Sequence, residues 1–76
     1  IDAYFEEEEE LVLVDYKTDR VDSEPELVQR YQLQLEYYAQ ALERLKRKPV
    51  KERILYSLHL GKYILVEKKT VIEKPM

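Results

Sequence analysis

Asp15 and Lys17 stand two residues apart at the end of an aliphatic run, Leu11-Val12-Leu13-Val14, and Thr18-Asp19-Arg20 follow directly. Strand side chains alternate between faces. Leu11, Leu13, Asp15 and Lys17 therefore share one face, and Val12, Val14 and Tyr16 share the other. A buried strand normally stops before its charges, whereas this one carries a carboxylate and an ammonium out to its end. That pair suits metal-assisted hydrolysis of a phosphate ester: the carboxylate holds a hard cation, and the lysine neutralises developing charge or orients the attacking water. A second carboxylate, Asp2, falls on a short β-rich segment at residues 1–5, sharing a face with Tyr4 and opposite Ile1, Ala3 and Phe5. Neighbouring strands of a hairpin hold opposed residues about 5 Å apart. If register brings Asp2 and Asp15 together, two carboxylates and Lys17 form a divalent-metal site open to water and phosphate. The residues alone leave a second arrangement open, in which Asp2 is a solvated strand end and Asp15 pairs with Lys17 or Arg20.

The elements that position these residues follow from pattern. Residues 1–5 and 11–17 read as antiparallel strands joined by five consecutive glutamates, Glu6 to Glu10. Like charges at that density repel and stay solvated, so residues 6–10 read as an exposed hairpin loop. Ser23-Glu24-Pro25-Glu26 is a helix start, with Ser23 as N-cap, Pro25 in the first turn and Glu26 closing a capping box. From there Leu27, Tyr31, Leu35, Tyr38, Leu42 and Leu45 recur at helical spacing, which predicts an amphipathic helix of about 20 residues. Gln34 and Tyr38 are one turn apart and face the same way, although Tyr38 also belongs to the apolar stripe and is a candidate for core packing. Basic residues at 46–48 favour the helix C-terminus, and Pro49 stops it.

Residues 54–58 predict an interior strand, Gly61-Lys62 a turn, and residues 63–66 an antiparallel partner. Residues 70–76 read as a loose end or an edge strand. A crossover of this length fits parallel pairing of 11–17 with 54–58, the helix packing over the sheet. The expected fold class is α/β: a small mixed β-sheet in the order strand-strand-helix-strand-strand, with one long amphipathic helix. The other sheet face stays uncovered unless a further element packs there. His59, on a mostly apolar strand, is expected to be structural.

Composition narrows the function classes. Seventy-six residues form at most one small domain, and 45% hydrophobic content says folded rather than disordered. The absence of cysteine excludes disulfides, zinc knuckles and iron–sulfur sites within the chain. No apolar run approaches the roughly 20 residues of a membrane span. A net charge of -3 argues against a dedicated basic DNA-binding surface, but a metal-dependent nuclease module can be acidic because the cation and neighbouring domains bring in the phosphate.

Three motifs then line up. Ile1-Asp2-Ala3-Tyr4-Phe5, Asp15-Tyr16-Lys17-Thr18-Asp19 and Gln34-Leu35-Glu36-Tyr37-Tyr38-Ala39 resemble consecutive motifs of the restriction-endonuclease-like PD-(D/E)XK nucleases of RecB type. The similarity runs from Ile1 to about Tyr56, Lys48-Pro49-Val50-Lys51-Glu52 included. A lone Asp-x-Lys is weak evidence, whereas this combination with Gln-x-x-x-Tyr on the next helix is specific. The resemblance implies a partial restriction-endonuclease-like core, with residues 1–76 as the C-terminal part of a nuclease domain cut from a longer protein, whose N-terminal helix and first strand would precede Ile1. It implies Asp2 and Asp15 as metal ligands with the backbone carbonyl of Tyr16, Lys17 as catalytic lysine, and Gln34 and Tyr38 close to the site and the DNA. It implies Mg²⁺, with Mn²⁺ as an alternative. The parent would be an exonuclease-bearing ATP-dependent helicase–nuclease of recombination and double-strand-break repair in the bacterial cytoplasm. Its partners would be DNA, fed as a single strand by a helicase motor, helicase domains of the same polypeptide and a second nuclease subunit, with no membrane. The isolated chain is expected to be weakly active or inactive. The competing reading is a folded binding or assembly module, dimeric through its open sheet, with no chemistry of its own.

Overall fold

The structure is a computed structural model and describes residues 2–68. Ile1 and the segment at 70–76 lie outside the described residues. Five elements follow in order: β1 (Ala3–Glu7), β2 (Glu10–Lys17), α1 (Glu24–Lys46), β3 (Val50–Ser57) and β4 (Lys62–Val66). They form one four-stranded sheet in the order β1-β2-β3-β4. The β1–β2 and β3–β4 pairs are antiparallel hairpins, and α1 crosses between the parallel strands β2 and β3. This is the expected mixed sheet with one long helix, a partial restriction-endonuclease-like α/β fold.

The first hairpin differs from expectation. Both strands run into the glutamate segment, leaving only Glu8 and Glu9 between them, at φ 51° and 67°. Consecutive left-handed residues close a two-residue turn whose twist matches the strands. The repulsion that would open a loop is relieved by cations from the α1–β3 connection: Lys48 Nζ lies 2.8 Å from Glu6 Oε2, and Lys51 Nζ 3.0 Å from Glu7 Oε1. At the other hairpin the left-handed position falls to Gly61, φ 69°, which carries no steric penalty there.

Helix α1 starts and stops as its sequence dictates. Ser23 Oγ accepts the Glu26 amide at 3.4 Å, and Glu26 reaches back to the Asp22 amide at 3.0 Å. Arg47 ends the helix in the left-handed region, its amide donating to Glu43 O at 2.7 Å. The buried stripe of α1, Leu27, Leu35, Ala39 and Leu42, packs on the face of the sheet that carries Leu11, Leu13, Leu55 and Ile64. Beneath it lies an ion pair that the pattern did not announce. Glu36 and Arg53 are 1% and 3% exposed, with Arg53 Nε 2.8 Å from Glu36 Oε2. The opposite sheet face is bare: Phe5, Tyr63 and Leu65 are each more than half exposed, and Tyr16 nearly so.

Candidate active site

The register of the first hairpin decides the geometry. Ala3 pairs with Val14 and Tyr4 with Leu13, so continuing by one residue puts Asp2 opposite Asp15. Their carboxyls lie within hydrogen-bonding reach of each other. Asp2 is anchored by the Tyr16 amide, which donates to its Oδ2 at 2.6 Å. On the same, helix-facing side of β2, Lys17 Nζ lies 3.1 Å from Asp15 Oδ2. Gln34 reaches down from α1, its Oε1 accepting from Lys17 Nζ at 3.3 Å.

The two carboxyls are in unlike settings. Burial pushes the Asp15 carboxyl above the usual range, and its hydrogen bond to Asp2 adds to that, against the opposing pull of Lys17. Exposed Asp2 is held below that range, first by the Tyr16 amide and then by Asp15. Two carboxyls this close favour sharing a proton unless a cation neutralises both. Asp15 Oδ2 is buried and, despite its nearness to Lys17, out of line for any hydrogen bond. An unpartnered buried carboxylate oxygen beside a second carboxylate fits a hard divalent cation. Among the described residues no third His, Cys, Asp or Glu joins the pair, so further ligands would come from backbone, water or substrate. Beside Asp2, a cavity of about 420 Å³ opens between β1 and α1, lined by Ala3, Tyr4 and Leu42.

Of the residues singled out from sequence, Asp2, Asp15, Lys17 and Gln34 are brought together. Tyr16 contributes its amide, while its ring points to the open face and meets Tyr56 edge-on at 5.6 Å. Tyr38 is half-buried and packs against the core, with no hydrogen bond to the cluster among the described residues. His59 is exposed, in the β3–β4 turn rather than on a strand. Tyr31, by sequence pattern only a member of the core stripe, has a second role in the structure. Its ring lies 4.1 Å from Lys17 Nζ, and its hydroxyl donates to Asp19 Oδ2 at 2.7 Å. Its spacing of three from Gln34 is the available signal, since residues three apart share a helix face.

The sequence pattern of the PD-(D/E)XK nuclease superfamily matches residues 1–75, beyond the stretch to Tyr56 that the motifs suggest. The chain belongs to this superfamily. Among PD-(D/E)XK relatives, the chain is 56% identical over 69 residues to an ATP-dependent helicase/nuclease subunit from Lachnoclostridium phytofermentans. It is 49% identical over 67 residues to the proteins of the same name from Clostridium botulinum strains 657 and Loch Maree. Each match covers 88% of this PD-(D/E)XK chain but only 5% of the relative's length.

Proposed function

We propose that this chain carries the catalytic residues of a Mg²⁺-dependent DNA nuclease, hydrolysing phosphodiesters as the exonuclease part of an ATP-dependent helicase–nuclease. The observation that carries this reading is the meeting of Asp2 and Asp15 across the hairpin, with Lys17 Nζ 3.1 Å from Asp15. Membership of the superfamily supports the chemistry, and the relatives' names support the setting.

Asp2 and Asp15 would hold the cation, with the Tyr16 carbonyl as a third protein ligand. A bound Mg²⁺ supplies a Lewis acid for the phosphoryl group and lowers the pKa of an attacking water. Lys17 supplies fixed positive charge for the phosphoryl oxygens as negative charge gathers on them. Gln34 holds Lys17 through its side-chain oxygen. Tyr38 supports the helix from the core, one turn from Gln34. DNA would enter as a single strand fed by helicase domains, alongside a second nuclease subunit, in the bacterial cytoplasm and in recombination and double-strand-break repair. No described helix is long and apolar enough to cross a membrane.

The bare sheet face favours a second reading, an assembly module that docks through Phe5, Tyr63 and Leu65. Release of nucleotides from linear DNA by the full-length gene product in Mg²⁺ separates the two. Asp15→Ala and Lys17→Ala should each lower the rate by about 10²-fold or more. Undiminished hydrolysis in both variants would leave the assembly reading standing.

A further inference from the structure

Lysine carries its charge on a flexible four-carbon stem, and Lys17 must keep its ammonium in place beside a carboxylate that a cation would share. Gln34 alone is a weak restraint, at 3.3 Å. We propose, resting on the nuclease reading, that Tyr31 is a positioning residue whose ring, tethered through its hydroxyl to Asp19, holds the Lys17 ammonium in the site.

The tether is built from the helix start. Asp19 Oδ2 accepts both the Tyr31 hydroxyl, at 2.7 Å, and Arg30 NH1, at 3.0 Å. Arg30 NH2 in turn donates to Glu26 Oε1 at 3.0 Å, and the Glu26 carboxylate also accepts the Asp22 amide. Asp19 follows Lys17 by two residues, so the network locks the end of β2 to the first two turns of α1. The ring then fixes the ammonium from the side, 4.1 Å from its centroid. A carboxylate in that place would neutralise the lysine and compete with phosphate. An aromatic face attracts the cation through its quadrupole and leaves the charge intact. A ring is therefore suited to holding a lysine that must still meet a substrate anion.

The test uses the full-length gene product, with kcat and KM for linear DNA measured in Mg²⁺. Tyr31→Leu should lower kcat by about 3- to 30-fold, the range that a lost cation–π contact implies, with KM unchanged. Tyr31→Phe keeps the ring and should recover most of that loss. Phenylalanines bearing successive fluorines at position 31 keep the shape but drain the ring's negative face, and kcat should fall with each fluorine. A flat fluorine series overturns the proposal, even if Tyr31→Leu proves too unstable to assay. Lys17→Ala separates the two readings: if it leaves hydrolysis intact, the nuclease reading fails. If it abolishes hydrolysis while the fluorine series stays flat, only the role of Tyr31 fails.

Discussion

Removing Glu36 should cost this fold much of its stability, and removing Glu36 together with Arg53 should restore most of it. Arg53 is 3% exposed and Glu36 1% exposed. Their close contact, Nε to Oε2 at 2.8 Å, is out of line for a hydrogen bond. One hydrogen bond joins the pair, NH2 to Oε1 at 3.3 Å, and NH1 donates to the Val50 carbonyl at 3.2 Å. In Glu36→Ala the guanidinium keeps only that carbonyl, and stranding a buried charge costs about 3–5 kcal/mol. A chain of 76 residues has a total stability of roughly 4–11 kcal/mol at typical per-residue values. The single variant therefore forfeits a large share of it, and its melting temperature should drop by more than about 10 °C. Glu36→Leu with Arg53→Met replaces an imperfectly bonded pair by apolar volume and should return to within about 1 kcal/mol of the parent. Urea unfolding followed by the circular dichroism of α1 reads all three proteins. A Glu36→Ala loss below about 1 kcal/mol would refute the reasoning, because the guanidinium would then be finding water. A double variant as damaged as the single one would also refute it. The pair would then be fixing the seat of α1, and with it Gln34, rather than offsetting its own burial.

Asp15→Asn should raise the melting temperature of the metal-free protein at neutral pH while abolishing Mg²⁺-dependent stabilisation. Burial, then Asp2, raises the Asp15 pKa, so its contribution to stability is full below the unfolded value and is lost as pH rises through the folded one. A lower melting temperature in EDTA would mean that the pairing with Lys17 outweighs burial. Exposed Asp2 has the opposite sign: its pKa is lowered, so its contribution is present above the unfolded value and is lost as pH falls through the folded one. Mg²⁺ affinity should weaken as pH falls through the raised Asp15 value, because the cation competes with the shared proton, and calorimetry in two buffers should register proton release. Glu8→Asn with Glu9→Gly relieves two left-handed glutamates and should stabilise the hairpin by about 1 kcal/mol in urea unfolding; no gain would mean that the ion pairs to Lys48 depend on the native turn. Ser23→Ala should cost about 1 kcal/mol by the same assay through its lost helix cap, and an unchanged midpoint would show the cap to be idle.

Much of the site was legible because strand and helix periodicities are local. The alternation at 11–17 put Asp15 and Lys17 on the core side before any fold was considered, and the stripe from Leu27 to Leu42 set the inner face of α1. The tight turn at Glu8–Glu9 was not legible, because its cations come from Lys48 and Lys51, some forty residues away. Glu36 and Arg53 were not legible either, since a charged side chain ordinarily signals solvent. Tyr31 sat in plain view on the core stripe, and only the descent of Lys17 beneath α1 gave it a second contact.

What the amino-acid order determined was therefore local: which residues alternate, where the helix starts and stops, and which acids and lysine stand ready for chemistry. Only tertiary structure decided that Asp2 and Asp15 meet, because pairing has a period of two and a slip of one residue would have turned one acid to the opposite face. That register depends on the closing turn, its distant lysine partners and the packing of α1, none of which a short stretch of chain contains.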